Sequence, residues 1–373
     1  MDKLLSEGTH IKICIVTISL ANGGAERAAA MQSQMFTSLG HEVHIVTLNN
    51  AISYNYSGTL FNLGKFKKGK DTVFKRFIRF KKLRRYIKKQ KFDVIVDNRS
   101  KTNYKRELFY SNYIYKNQSC IYVVHSSNKE LYFSNNPKET AKIYRRNTKT
   151  VCVSKYIEDT LLEDLSITNG VTIYNSFNPD WSSQNSTLPK QLNNRNYILS
   201  YGRIVDSVKD FSFLINSFSK SAVWKDNIYL VIMGDGQDAK MLQNKASKLE
   251  CSPFIIFMPF QENPFPIIKQ AKFVTLTSKF EGFPMVLLES FSVGTPVAAL
   301  DIISGPNEII KHKENGLLVS ERNVPLFSNA IRQLVYDKEL YIKCKGNTNT
   351  SIKEFSMEVV ANKWNGILLE NYA

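Results

Sequence analysis

Short apolar runs alternate with amphipathic helical patterns along the first half of the chain, and this alternation restricts the fold more than any other feature. Ile11 to Ile18 is a nearly continuous apolar run, which is typical of a strand buried on both faces of a parallel sheet. A glycine-containing loop and a helical pattern from Glu26 to about Leu39 follow it. Further strands are predicted at His41–Leu48, Lys91–Val96, Cys120–Val124 and Thr150–Val153. Strands that alternate with helices predict a doubly wound α/β domain.

The same alternation begins again after a polar segment. Asn175 to Asn196 is rich in Asn, Ser and Pro and has little periodicity, which indicates an interdomain linker. Beyond it, strands are predicted at Tyr197–Tyr201, Ile228–Met233, Phe254–Phe257, Phe273–Leu276 and Pro296–Ala299, and helices at Phe211–Lys220, Asp238–Leu249 and Pro284–Val293. We therefore predict two similar α/β domains at residues 1–178 and 197–355, a linker at 179–196, and a C-terminal segment at 356–373 with a helix from about Met357 to Tyr372.

The positive charge of the chain lies almost entirely in its first half. Residues 1–180 hold 29 Lys or Arg against 15 Asp or Glu, a net of +14, whereas residues 181–373 hold 21 against 18, a net of +3. Such a field attracts polyanions, which include nucleic acid, an anionic membrane surface and phosphorylated substrates.

One segment carries most of this excess. The 27 residues from Lys65 to Lys91 contain fourteen Lys or Arg. An apolar stripe recurs there every three or four positions, at Val73, Phe77, Phe80, Leu83 and Ile87. This pattern predicts a basic amphipathic helix. Three interpretations are open: a core-packed helix with a solvated basic face, an interfacial helix on anionic lipid, and a nucleic-acid-binding helix. The second is favoured, because no nucleic-acid-binding motif accompanies the charge. Its lipid- or acceptor-facing residues would be Lys75, Arg76, Arg79, Lys82 and Arg85.

The compartment is predicted from simple absences. No apolar stretch reaches 18 residues, and the N-terminal residues do not resemble a signal peptide. Five cysteines are an odd number without metal-ligand spacing, and Cys14 and Cys152 lie inside apolar runs, as buried free thiols do. We therefore expect a cytoplasmic protein, associated peripherally with the inner face of the cell membrane and without an obligate protein partner.

Two carboxylates eight residues apart mark the sharpest candidate site. Glu281 lies in a loop after a predicted strand, and Pro284 opens a helix that carries Glu289. The backbone N–H groups of Met285 and Val286 would lie at the helix N-terminus, where partial positive charge favours phosphate. A nucleotide diphosphate bound there would place a sugar near one carboxylate and a ribose near the other. A surface Glu and a salt-bridged helical Glu would be the purely structural alternative.

Two cations complete this candidate site. Arg203 follows the strand that opens the second domain, and Lys209 comes six residues later. Side chains at the carboxyl ends of parallel strands face the crevice where such folds bind ligands. An Arg fork and a Lys point charge there would neutralise a departing diphosphate. No Asp-x-Asp pair and no His/Cys cluster is present, so we expect no metal and no other cofactor.

The run from Phe280 to Ala299 closely resembles the E-x7-E signature of glycosyltransferase family 4, retaining enzymes of the GT-B fold with two Rossmann-like domains facing a cleft. The resemblance implies that Glu281 contacts the transferred sugar, that Glu289 holds the ribose, and that Arg203 and Lys209 bind the diphosphate. It departs at Asp210, where many members have Gly or Asn. It also implies that the C-terminal helix crosses back to the first domain.

Further candidates follow from the same resemblance. Gly234 lies in a turn similar to the family's Gly-x-Gly at the nucleotide base, although any strand-to-helix turn uses glycine. Phe260 is a candidate for the base pocket or a plain core or lid aromatic, and Phe283 lies between the two carboxylates. In the first domain Gly23 and Gly24 match a loop that faces donor phosphate and acceptor. His125 matches a histidine beside the sugar ring, where it would position and support the transition state.

These residues lead to one expected function. The resemblance implies transfer of a hexose or N-acetylhexosamine from a UDP-sugar (GalNAc, GlcNAc, Gal or Glc) with retention, and catalytic roles for Glu281, His125, Arg203 and Lys209. The acceptor would be an oligosaccharide or an undecaprenyl diphosphate-linked saccharide of O-antigen or capsule assembly. A GT-B-fold sugar-nucleotide epimerase or phosphorylase, and a non-enzymatic basic protein that binds carbohydrate or nucleic acid, are the alternatives.

Overall fold

The computed structural model describes residues 9–67, 72–178, 180 and 187–370. These residues form two compact units that divide after Ser176 and after Ser356, and the segment from Met357 onward belongs to the first unit. Each unit contains one parallel sheet with helices around it, so the predicted pair of doubly wound α/β domains is confirmed. Within the described residues, no helix is both long and apolar enough to cross a membrane.

The sheet of the first unit has seven parallel strands. They are β1 (Lys12–Thr17), β2 (Glu42–Thr47), β3 (Thr59–Asn62), β4 (Val94–Asp97), β5 (Cys120–Val124), β6 (Lys149–Cys152) and β7 (Gly170–Thr172). Their order is β3-β2-β1-β4-β5-β6-β7. The order reverses direction between β1 and β4, where an open α/β sheet has its ligand crevice at the carboxyl ends of the strands. Asp97, Asn98 and His125 lie at that edge, in or just after β4 and β5.

Helices connect these strands. They are α1 (Gly24–Ser38), α2 (Val73–Gln90), α3 (Tyr104–Phe109), α4 (Lys129–Phe133) and α5 (Pro137–Tyr144). The sequence predicts α1 from Glu26, but the helix starts at Gly24, directly after the loop glycine. Lys91, predicted to begin a strand, ends α2 in a left-handed conformation with φ 53°, and β4 starts only at Val94.

The second unit repeats the arrangement with six parallel strands. They are β8 (Asn196–Tyr201), β9 (Ile228–Met233), β10 (Ile255–Met258), β11 (Val274–Leu276), β12 (Val297–Leu300) and β13 (Gly316–Val319), in the order β10-β9-β8-β11-β12-β13. The helices are α6 (Asp206–Lys209), α7 (Phe211–Ser221), α8 (Ala239–Ala246), α9 (Phe265–Gln270), α10 (Met285–Ser292), α11 (Pro306–Ile309), α12 (Val324–Tyr336) and α13 (Lys338–Ser351). The reversal of strand order falls between β8 and β11.

The remaining helix, α14 (Met357–Leu369), packs within the first unit. The Trp364 ring meets the Phe36 ring edge-on at 5.4 Å between centroids, and Asn365 lies 3.1 Å from a ring nitrogen of His41. The predicted end of this helix, Tyr372, lies outside the described residues. The segment predicted as linker falls in the second unit from residue 187 onward, and its Leu192 is fully buried. Residues 179 and 181–186 of it lie outside the description.

Four charged side chains form a buried tetrad in the first unit. Arg99 binds Asp97 with its Nη2 at 2.7 Å from Oδ2, and the same nitrogen lies 3.0 Å from a carboxylate oxygen of Glu107. The ammonium of Lys101 lies 3.6 Å from Asp97, and all four side chains are at most 3% exposed. Burial alone would raise the pKa of Asp97, but Arg99 and Lys101 outweigh it and hold that pKa below its usual range. Two positive and two negative side chains therefore form three ion pairs in the core, and the partly exposed Arg106 also binds Glu107, at 2.7 Å.

The basic helix α2 is only partly packed. Leu83 and Ile87 in its C-terminal half are buried, as the predicted apolar stripe requires. Towards its N-terminus, however, Phe74 is 72% exposed and Phe77 is 42% exposed, so the stripe does not continue into the core there. Val73 belongs to the predicted stripe, but its side chain lies outside the description. The helix thus joins a packed half to a half with exposed aromatic rings.

Candidate active site

Glu281 and Lys209 meet in the second unit. The Lys209 ammonium lies 2.6 Å from Oε1 of Glu281, and the Ser278 hydroxyl donates to the same oxygen at 2.6 Å. Lys209 ends α6 and Glu281 lies in the loop between β11 and α10, so the two residues come from the two sides of the strand-order reversal. Their side chains are 21% and 15% exposed, which shields the pair while leaving it accessible to a small molecule. Nothing in the sequence around Ser278 indicates this contact.

Glu289 is bound by Tyr201, which the sequence indicates only as the last residue of a strand. The Tyr201 hydroxyl donates to Oε2 of Glu289 at 2.7 Å, and Glu289 is only 4% exposed. Tyr201 is the last residue of β8, and Glu289 lies in the second turn of α10. This bond fixes the direction of a buried carboxylate.

The N-terminus of α10 lies between these two carboxylates in the sequence. Pro284 precedes the first helical residue, and helix geometry leaves the N–H groups of Met285 and Val286 without an acceptor inside the helix. The side chains of Met285 and Phe283 are buried, and the Phe283 ring packs against Phe355 at 5.2 Å between centroids. The Phe283 ring thus packs inside the unit, and the expectation that Phe283 belongs to the donor site stays a prediction.

A neighbouring loop braces the Glu281 loop. The Ser304 hydroxyl donates to the carbonyl of Gly282 at 2.8 Å. Gly305 has φ +97°, and a side chain at this position would come within 2.5 Å of the Pro284 ring. Only glycine permits this approach, so the loop that carries Glu281 is positioned by close backbone packing.

The turn that holds Arg203 is equally crowded. Gly234 follows β9, and a Cβ on it would lie 1.9 Å from the carbonyl oxygen of Gly202, so close backbone approach already explains this glycine. Arg203 is exposed, and its side chain makes no hydrogen bond or ion pair within the part of the chain that the structure describes. Phe260 is 44% exposed in the loop after β10, which is not the environment of a core aromatic.

His125 is the centre of a polar chain in the first unit. Its Nε2 lies 2.7 Å from Oδ1 of Asn98, and Nδ2 of Asn98 donates to Gln32 at 2.7 Å. With that amide orientation, Nε2 carries the proton and Nδ1 is an acceptor. Nδ1 is shielded from solvent and has no hydrogen-bond partner among the described residues, although part of the residue is exposed.

The charge state of His125 follows from its environment. Burial, with a smaller contribution from Lys101, lowers the pKa of His125 from 6.5 to about 3. The ring is therefore neutral at physiological pH, and its Nδ1 is an acceptor shielded from solvent. A histidine that is neutral at this pH is a weak proton donor, and the positioning role that the resemblance implies stays a prediction. Asn98 and Gln32 gave no signal in the sequence, because only the fold brings them to His125.

The glycine loop of the first unit begins α1. Gly23 is extended with φ −159°, and its carbonyl accepts the first helical bond, from the N–H of Arg27 at 3.0 Å. Gly24 is the first helical residue. Gln32 of the same helix reaches Asn98, so this loop and His125 belong to one scaffold within the first unit.

Metal ligands are not grouped in the part of the chain that the structure describes. No set of three or more His, Cys, Asp or Glu side chains there could hold an ion. All five cysteines are buried free thiols.

Known proteins resemble this chain along most of its length. A family model described as "Glycosyltransferase Family 4" matches residues 22–181, and one described as "Glycosyl transferases group 1" matches residues 185–351. Together the two models account for both units. The chain therefore belongs to the family 4 glycosyltransferases and has the GT-B fold.

Individual relatives match to different extents. An uncharacterized glycosyltransferase of Haemophilus influenzae is 27% identical over 50% of this chain and 54% of its own length, so this match spans about half of that relative. The N-acetylgalactosamine-N,N'-diacetylbacillosaminyl-diphospho-undecaprenol 4-alpha-N-acetylgalactosaminyltransferase of Campylobacter jejuni is 25% identical over 94% of this chain and 97% of its own. Among solved structures, HepE of Anabaena in complex with UDP and glucose gives a TM-score of 0.78 at 17% identity, covering 96% of this chain and 99% of that one.

Proposed function

We propose that this glycosyltransferase moves a hexose or N-acetylhexosamine from a UDP-sugar to a saccharide acceptor, with retention of anomeric configuration. The acceptor we favour is a lipid diphosphate-linked saccharide used in bacterial surface polysaccharide assembly. The relative from Campylobacter jejuni is named for such a transfer, and its similarity extends over nearly the whole chain. The observation that carries the proposal is the Glu281–Lys209 pair next to the N-terminus of α10.

The chemistry assigned to each residue follows from charge. When the bond between C1 of the sugar and the diphosphate oxygen breaks, negative charge grows on the diphosphate. Lys209, the exposed Arg203 and the helix N-terminus would stabilise it without a metal ion. Glu281 would accept hydrogen bonds from sugar hydroxyls, and Glu289, oriented by Tyr201, from the ribose. The acceptor hydroxyl would attack C1 from the same face, and its proton would pass to the departing phosphate.

Lys209 has to change partners during this cycle. In the structure its ammonium is bound to Glu281, the residue proposed to contact the sugar. A diphosphate carries more negative charge than one carboxylate, so it would compete with Glu281 for the Lys209 ammonium. The carboxylate would then be released towards the sugar hydroxyls. The ion pair would therefore keep both side chains in place while the site is empty.

The direct test is a donor screen in the presence of EDTA. UDP- and GDP-sugars are incubated with the full chain, first alone and then with lipid-linked mono- and disaccharides. We expect slow release of UDP from one donor without acceptor, a large increase with the correct acceptor, and an α-linked product from an α-linked donor by NMR. Formation of an epimeric sugar from the UDP-sugar without any acceptor, beyond simple hydrolysis to UDP and the original sugar, would favour the epimerase alternative. Strict dependence on a divalent ion would contradict the metal-free mechanism.

We also propose that α2 brings the first unit to an anionic membrane. Phe74, Phe77 and Ile78 are exposed near its N-terminus, and Phe66 is 45% exposed in the turn before it. Lys75, Arg76, Lys82 and Arg85 are exposed on the same helix, while Arg79 is partly buried. Exposed aromatic rings among cations are the composition of an interfacial helix. Such a surface would let a cytoplasmic enzyme reach a lipid-linked acceptor.

Liposome flotation tests this surface. We expect binding to vesicles with anionic lipid at low salt and weaker binding at high salt, because each cation near the surface contributes about 1 kcal/mol that salt screens. Reversing the charge at Lys75, Arg76, Lys82 and Arg85 should abolish flotation. The matched control reverses four exposed lysines of the second unit, Lys338, Lys343, Lys345 and Lys353. Equal loss in both variants, or no flotation of the wild-type protein, would contradict the proposal.

A further inference from the structure

Arg322 joins the two segments that carry Lys209 and Glu281. Its Nη1 lies 2.7 Å from Oδ2 of Asp210 and 2.9 Å from the carbonyl oxygen of Thr277. Its Nη2 donates to the carbonyl of Ser278 at 2.7 Å. We infer that this arrangement, the Arg322 clasp, holds the segment that carries Lys209 beside the segment that carries Glu281 and so sets the affinity of the site for a diphosphate. The inference rests on the proposed function for its ligand.

The clasp acts on residues next to the pair. Asp210 directly follows Lys209, and Ser278 lies three residues before Glu281 and donates to it. Further bonds tie the two segments together: the Thr277 hydroxyl donates to the Lys209 carbonyl at 3.1 Å, and the Lys279 N–H donates to the Val208 carbonyl at 2.7 Å. Because the guanidinium fork binds both segments at once, their separation cannot change without breaking its bonds.

The Asp210 carboxylate adds a negative charge beside Lys209, and this charge accounts for the position of Arg322. Asp210 has φ 52° and ψ 48°, a left-handed conformation that Gly and Asn adopt more readily than most residues. It caps α7 by accepting the N–H of Phe213, and it is only 8% exposed. An aspartate in this place adds a shielded negative charge next to the lysine that must bind phosphate. Arg322 pairs with that charge at 2.7 Å and the Lys279 ammonium lies 4.0 Å from the same oxygen, so Lys209 does not have to balance it.

Arg322 is a positioning residue, because its guanidinium donates hydrogen bonds to protein atoms of both segments. It lies between β13 and α12, more than a hundred positions from Asp210, and its side chain is 33% exposed. Removing it would leave the Asp210 carboxylate without its guanidinium partner and would free the two segments to move apart. The expected consequence is a displaced Lys209 in a unit that remains folded.

Calorimetric titration of the full chain with UDP and with UMP in EDTA tests the clasp. We expect Arg322→Ala to weaken UDP binding about tenfold or more, which is the size of one charge-assisted contact, and to leave UMP binding unchanged. Lys209→Met should have the same effect, and the double variant should bind UDP no more weakly than Lys209→Met alone. Arg332→Ala is the control, since Arg332 also donates to a carbonyl of this unit, at Ser221, away from the pair.

A second measurement does not depend on a nucleotide. Amide exchange of the ligand-free Arg322→Ala variant should be at least about tenfold faster in peptides covering 206–210 and 277–281, and unchanged in β8 and β9. Arg322→Gln, which keeps one donor group, serves if the alanine variant does not fold. Wild-type exchange together with an unchanged preference for UDP over UMP would overturn the clasp. A wild-type protein that binds no UDP contradicts the proposed function instead, and amide exchange then decides about the clasp.

Discussion

Replacing Glu281 with glutamine is expected to lower the rate of sugar transfer by about a thousandfold, the scale on which preorganised groups at a reacting centre act. The change keeps the size of the side chain and removes its charge. A neutral amide cannot accept hydrogen bonds from sugar hydroxyls as strongly as a carboxylate, and it no longer holds Lys209, which lies 2.6 Å away in the wild-type protein. We therefore expect loss of transfer rate together with unchanged or tighter binding of UDP.

The control for this variant is Glu250→Gln, which changes an exposed glutamate of the same unit. It should transfer sugar at the wild-type rate. Because Glu281 lies in a loop and is partly exposed, thermal unfolding of Glu281→Gln should shift by only a few degrees. Transfer by Glu281→Gln at the wild-type rate would refute the assignment of the site, and loss of UDP binding would refute the separation of roles between Glu281 and Glu289.

Asp97→Asn should lower the free energy of unfolding of the first unit by about 3–5 kcal/mol, because it removes the negative partner of a buried ion pair. Asp97 accepts three hydrogen bonds from Arg99, one from its backbone N–H and two from its guanidinium. The neutral amide would leave Arg99 and Lys101 in the core with only Glu107 to balance them. Urea unfolding followed by pulsed amide exchange checks this, since peptides of β4 and β5 report the first unit separately.

The double variant Asp97→Asn/Lys101→Met restores the charge balance of the tetrad. It should be more stable than Asp97→Asn alone by about 2 kcal/mol, although both substitutions remove native contacts. Asp159→Asn, an exposed aspartate of the first unit, should unfold at the wild-type urea concentration. If Asp97→Asn also unfolds at the wild-type urea concentration, the tetrad contributes little to stability and the prediction is wrong.

The layers of the fold could be predicted because buried parallel strands are continuous apolar runs. β1, β5 and β9 stand out in the sequence for that reason, and their observed ends lie within a residue or two of the predicted ones. β3, β7 and β13 were not predicted as strands. Each has only three or four residues and lies at the edge of its sheet, so each is too short to show a period, even where it is apolar as in Gly316–Val319.

The candidate site was predictable where its residues lie close together in the sequence. Glu281, Pro284 and Glu289 fall within nine positions, and their spacing on a loop and a helix is readable without coordinates. Arg322 and Tyr201 were missed because each acts across the fold: Arg322 reaches Asp210 over 112 positions, and Tyr201 reaches Glu289 over 88. No local pattern encodes such contacts. The unusual aspartate after Lys209 was the visible signal that a distant cation would be needed.

Amide exchange of the full chain with and without UDP, in EDTA, tests whether the second unit holds the nucleotide sugar by its diphosphate. We expect slower exchange on UDP binding in peptides that cover residues 201–210 and 280–293, with no requirement for added metal. We also expect Lys209→Met to remove this protection in the first peptide, while the peptide that contains Glu289 keeps part of it. Protection confined to the first unit, or no UDP-dependent change in the second, would show that the second unit does not hold the diphosphate.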